Sequence, residues 1–132
     1  MVWFLIDEAA LRRRTGSPLI MADQLEHLLT LAKLSNVTIQ VVPNVAHAEC
    51  TGGFAIAEAV NGAAAYIETA LTGQVFEDAK VVLELSAWFD ALRTEALRGT
   101  ESLRLIEKVA SEWRQQTAGA SQATQAPTAA SA

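Results

Sequence analysis

The side chains with the clearest chemical potential are carboxylates set against apolar runs. Asp7 and Glu8 follow Val2-Trp3-Phe4-Leu5-Ile6, while Glu58 and Glu68 interrupt two later apolar segments. Acids at the end of a strand stand at the rim of an α/β sheet, where ligands tend to bind. Buried carboxylates need donors, and Arg12, Arg13 and Arg14, Gln24 or Tyr66 can supply them. Two chemistries follow. One is a polar pocket or partner-binding surface built from Asp7, Glu8, Gln24, Tyr66 and Glu68. The other is a small metal-dependent hydrolase with Asp7, Glu58 and Glu68 as oxygen ligands. Set against both is the structural reading, in which these acids face solvent or bond internally, as most charged side chains do.

A second group, His47-Ala48-Glu49-Cys50, places an imidazole, a carboxylate and a thiol on one loop. A structural zinc needs four ligands, and the only other histidine, His27, falls inside a helix. As a nucleophile and base, Cys50 and His47 lack an orienting third group. We therefore expect no catalytic residue, no metal and no cofactor. The basic run Arg12-Arg13-Arg14 reads as a solvated turn or a local partner for Asp7 and Glu8. The stripe holding Trp88 and Phe89 reads as core rather than a ligand cage. No GxGxxG or P-loop pattern cradles a phosphate.

The elements that would position these groups follow from composition and periodicity. A chain of 132 residues suits one domain, and a net charge of −5 opposes nonspecific attraction to nucleic acid or an anionic membrane. Cys50 has no internal partner for a disulfide, the start does not resemble a signal peptide, and no apolar stretch is long enough to span a bilayer. A cytoplasmic protein is expected.

Residues 2–6 read as a strand buried on both faces. Ser17 and Pro18 open a helix of about 17 residues carrying Met21, Leu25 and Leu28 on one face. Residues 37–42 alternate as a second strand, so the first two strands should be parallel within a βαβ unit. Runs at 54–60 and 64–70 flank Asn61-Gly62, a two-residue type I′ hairpin turn, and residues 71–77 read as a connection. Asp78 caps a helix striped by Val81, Leu85, Trp88 and Leu92, which Gly99 should end. Thr100 should cap a last helix bearing Leu103, Ile106, Ala110 and Trp113, with Lys108 and Glu112 paired one turn apart. Those two helices should dock together on one sheet face. The expected fold is α/β, or α+β: one small mixed sheet of about four strands, with the βαβ unit, the hairpin and two C-terminal helices. The folded domain spans 1–117, and 118–132, poor in charge and large apolar groups, reads as a disordered tail.

This order of segments resembles a known family, the C-terminal regulatory domain of actinobacterial Xre-type helix-turn-helix regulators, in the antitoxin-like group related to WhiJ. The likeness rests on Asp7-Glu8-Ala9-Ala10-Leu11, Met21, Gln24-Leu25 and Leu28-Leu29, then Asn36-Val37-Thr38 and Val41-Val42-Pro43. It continues through Phe54, Tyr66-Ile67-Glu68-Thr69, Phe76-Glu77-Asp78, Phe89-Asp90-Ala91-Leu92, Ala96-Leu97 and Thr100-Glu101-Ser102, covering nearly all of residues 2–114. The resemblance implies a noncatalytic domain that follows a DNA-binding helix-turn-helix and works beside a small acidic partner protein encoded nearby. It supplies no catalytic residues. Since Met1 directly precedes the first strand, the helix-turn-helix is expected to be absent here, and direct nucleic-acid or membrane binding is not expected from these residues.

The favoured expectation is thus an effector-sensing or protein-interaction domain of a transcriptional regulator, recognising a small acidic protein or a small-molecule effector. The metal-dependent hydrolase is one alternative. The other is a dimerisation module, a homodimer formed through an exposed apolar face of the last two helices.

Overall fold

A computed structural model describes residues 1–43, 52–69 and 71–123. In chain order the elements are β1 (Val2–Asp7), α1 (Glu8–Arg12), α2 (Pro18–Leu31), β2 (Val37–Val42), β3 (Phe54–Ala59), β4 (Gly62–Glu68), β5 (Gly73–Phe76), α3 (Ala79–Glu95) and α4 (Gly99–Ala123). They form two compact units, one made of Met1–Val41 with Leu97–Ala132 and the other of Val42–Ala96. The α/β class, the parallel β1–β2 pair, the hairpin and the two C-terminal helices are as the sequence indicates. The strands, however, make a parallel pair and a separate antiparallel sheet of order β3-β4-β5 rather than one four-stranded sheet.

The first unit is held by a core in which Leu11, Leu25, Ile39, Val41, Ile106 and Val109 are almost fully buried. Burying each such side chain contributes about 1.5–3 kcal/mol. The α4 stripe packs against α2, as the spacing of Ile106, Val109, Ala110 and Trp113 requires. Trp113 also donates its buried indole N–H to the Leu11 carbonyl at 3.0 Å, tying α4 to the end of α1. β1 departs from expectation: Val2 is 45% and Phe4 44% exposed, because the parallel pair buries only one side of this strand.

A polar chain fixes the other edge of β2. Ser102, fully buried, accepts the Val41 N–H at 3.0 Å and donates to the Leu97 carbonyl at 3.1 Å. Leu97 in turn donates its N–H to the Val41 carbonyl at 2.9 Å. The Gln40 amide donates to the same Leu97 carbonyl at 2.8 Å and accepts from the Trp3 indole at 2.8 Å. Both lone pairs of the Leu97 carbonyl are therefore used, and the Val41 backbone is paired although no strand among the described residues lies there.

In the second unit α3 packs on β3 and β4. The register pairs Phe54 with Ile67 and Ile56 with Ala65 on the covered face of the sheet, where Ala65 is 1% exposed. The hairpin loop is Val60-Asn61, since Ala59 pairs with Gly62. No non-glycine residue among those described has positive φ, so Asn61 does not take a type I′ conformation, and it is Gly62, at φ 144°, that uses the glycine-only freedom. β5 occupies part of the segment read as a connection; at four residues with Gly73 at its start it carries little strand signal.

The two C-terminal helices serve different units. Gly99 opens α4 instead of ending α3, which its φ explains, since it is not among the positive-φ glycines. Glu101 reaches back to the Arg98 N–H at 3.2 Å, half of a capping box, so Thr100 is not the cap. Glu112 takes Arg12 at 3.1 Å instead of Lys108. The helix also runs past the expected boundary at residue 117 to Ala123, and residues 124–132 lie outside the described ones.

On the surface of the first unit Arg114 on α4 clasps Asp23 and Glu26 on α2, each at 2.7 Å. The hydrogen bond from Arg114 holds the Glu26 carboxyl below its ordinary value of 4.5 and raises the guanidinium in turn.

Ser102→Ala is expected to lower stability by about 1–3 kcal/mol in urea unfolding, because it strands a buried N–H without a partner. The Glu26 shift gives a second expectation. A depressed carboxylate stabilises the fold above its unfolded pKa and loses that effect as pH falls through the folded one. The melting-temperature gap between the wild type and Arg114→Gln should therefore be open near neutral pH and close below the ordinary Glu26 value of 4.5. A gap independent of pH would show that the pair contributes nothing through ionisation.

Candidate functional site

Of the five residues proposed for a ligand or partner surface, three lie in the first unit and two in the second, and each set is described within its own unit. Asp7 is the N-cap of α1, its Oδ1 accepting the Ala9 N–H at 2.9 Å, a conventional use for a carboxylate at a helix start. Glu8 follows in the first turn and pairs with Arg12 one turn on, at 3.2 Å. Arg12 also reaches Glu112, so the first arginine of the basic run is committed within the fold. Gln24 is exposed on α2, between Asp23 and Leu25.

In the second unit Tyr66 and Glu68 are both exposed and share the face of β4 opposite Ala65 and Ile67. The same face carries Ala55 opposite Tyr66 on β3 and Val75 opposite Tyr66 on β5. Ala55 is exposed and Val75 is 64% exposed, so Tyr66 and Glu68 are polar groups on an apolar, open sheet surface. The Tyr66 ring lies diagonally over Gly73 of the edge strand, where a Cβ would overlap its ring and hydroxyl. Across from Glu68, its own N–H donates to the Gly53 carbonyl at 3.0 Å, and its carboxylate passes 3.8 Å from where a Gly53 Cβ would stand. Among the described residues Glu68 forms no ion pair.

The metal-dependent alternative fails on this register. Glu58 pairs with Ala63 and so shares the side of Ala65, whereas Glu68 projects from the other side of the same hairpin. Two carboxylates on opposite faces of a sheet cannot ligate one ion. Among the described residues no three His, Cys, Asp or Glu side chains converge as a metal would need. His47, Glu49 and Cys50 lie outside the described residues.

Three side chains of structural or surface consequence escaped the sequence reading. Gln40 had a signal, an amide inside the otherwise apolar 37–42 run, and so had Ser102, which lies one turn before Ile106 on the core stripe. Trp88 was placed in the core, yet it is 43% exposed, while its neighbour Phe89 is half-buried. A stripe at helical spacing identifies a face but not whether anything covers it.

A family model described as a domain of unknown function, DUF5753, matches residues 1–108. No curated protein and no solved structure matches the chain. No helix among the described residues is long and apolar enough to cross a membrane.

The Tyr66–Gly73 contact is open to a double-mutant cycle. Gly73→Ala alone should push the exposed Tyr66 ring off the edge strand at a cost of about 1 kcal/mol or less, and the same change in a Tyr66→Ala background should be neutral or stabilising. Equal costs in both backgrounds would mean that the ring does not occupy the glycine's space in solution.

Proposed function

The chain belongs to the DUF5753 family, and from that footing we propose that it is a noncatalytic effector-sensing or protein-interaction domain of an antitoxin-like, Xre-type transcriptional regulator. The family match and the resemblance to such regulatory domains cover almost the same stretch, residues 1–108 against 2–114. The observation that carries the reading is the open face of β3-β4-β5, where exposed Tyr66 and Glu68 stand on an apolar floor of Ala55 and Val75. Flat apolar surface with a few polar groups suits recognition, in which an aromatic anchor supplies area and a carboxylate supplies direction.

The partner is a small acidic protein encoded beside the gene, or a small-molecule effector; direct nucleic-acid or membrane binding is not part of the reading. Glu68 suits a hydrogen-bond donor such as an amine or hydroxyl, and Tyr66 can stack on it. In the first unit Asp7 and Glu8 are already engaged in capping and pairing, so Gln24 contributes there as an exposed amide. Regulation then works by a change in the population or stability of the domain on binding, without turnover.

The test is the melting temperature of the full chain with the adjacent small acidic protein and with a panel of amines and hydroxylated metabolites. A shift from one of these, abolished by Tyr66→Ala or Glu68→Ala, is the expected result. Were every probe without effect, or the shift indifferent to Tyr66, Glu68 and Gln24 alike, the assignment of this surface would be wrong.

A further inference from the structure

The chain's charge is divided unevenly between its two units. Residues 42–96 hold eight carboxylates and two cationic side chains, a net charge of −6. The remaining residues hold seven carboxylates and eight cations, net +1, which together restore the −5 of the whole. The acidity therefore belongs to the second unit, the same unit that exposes apolar surface on α3.

α3 buries Val82 against the sheet and leaves a second apolar line beside it. Val81, Leu85 and Trp88 recur at helical spacing and, with Glu84, line a shallow groove of about 170 Å³. That space is of the size that accepts one benzene-sized group, about 150 Å³. Trp88 is 43% exposed, and Glu84 is exposed at the groove wall. Tryptophan at the centre of an apolar patch is the side chain most often found to anchor a protein interface, and charges around the rim choose the partner and speed its approach. From Val81 to Trp88 the helix rises about 10 Å, two turns, which matches a short partner segment and not a domain-sized face.

We propose that this groove docks a basic segment of a partner protein, one that places a single large apolar side chain against Trp88 and a lysine or arginine beside Glu84. The inference rests on the interaction reading above and adds a second surface with a defined partner chemistry.

The experiment titrates the full chain with an amphipathic lysine/leucine helical peptide of about 18 residues and with its glutamate/leucine counterpart, by calorimetry at rising salt. The cationic peptide is expected to bind and to weaken with salt, and the acidic one to give no heat. Trp88→Ala and Glu84→Lys should each weaken binding by about tenfold or more, while Glu58→Lys, the same charge change in the same unit, should cost less than about threefold. All three positions are exposed, so circular dichroism should report an unchanged fold, and Trp88→Phe should keep most of the affinity. Equal losses at Glu84 and Glu58 would reduce the effect to diffuse charge attraction and overturn the proposal. So would indifference to Trp88→Ala, or sedimentation showing that Trp88→Ala dissolves a dimer, since the occupant would then be a second copy of the chain. Loss of this binding with the Tyr66-dependent shift intact would remove the groove and leave the sheet-face reading standing.

Discussion

A single buried hydroxyl joins the sheet of the first unit to its longest helix. Ser102 presents an acceptor to the Val41 N–H and a donor to the Leu97 carbonyl, so both of its hydrogen-bonding capacities are used inside the protein. A two-stranded sheet has only edges, and strands so exposed are marginal without further pairing. Here the pairing comes from the backbone of Leu97 and from side chains rather than a third strand. Gln40 and Trp3 extend the same network across β2 to β1. The core residues Ile39 and Val41 can then share one cluster with Ile106 and Val109.

The units differ in how much apolar surface they retire. The first closes around leucines, isoleucines, valines and a tryptophan that are almost wholly buried; in the second, the buried apolar side chains among the described residues are Val42, Ala65 and Val82. A thin interior means that more of the apolar side-chain area of α3 and of the outer sheet face stays at the surface. Area of that kind is what recognition uses, and the acidic groups surrounding it keep the surface from associating indiscriminately.

Strong local signals in the sequence correspond to real elements. Ser17-Pro18 starts α2 and Asp78 starts α3, because capping is settled within a few residues of the chain. The alternation of 37–42 marks β2, and the Ile106-to-Trp113 stripe marks the buried face of α4. Signals that depend on distant neighbours were less legible. Val2 and Phe4 have the composition of a doubly buried strand, but burial is decided by which elements lie alongside. Gly99 has the identity of a helix stop yet not the dihedral. For the site, Tyr66 and Glu68 were correctly paired on one face by their spacing of two, whereas the separation of Glu58 from Glu68 appears only once the register is known. Glu8 and Asp7, chosen for their position at a strand end, serve the helix that begins there.

The first unit is discontinuous along the chain: β1, α1, α2 and most of β2 come before the second unit, and α4 comes after it. Synthesis runs from one end, so when β2 leaves the ribosome its core partners Ile106, Val109 and Trp113 do not yet exist. Ile39, Val41, Met21 and Leu25 must wait, uncovered, while more than half a hundred further residues are added. By contrast β3, β4, β5 and α3 are contiguous, and every contact within that set is available before α4 is translated. Closure of the first unit is thus a late event in the life of each nascent chain, and in the interval before it the apolar side chains of β2 and α2 are the surface most open to aggregation.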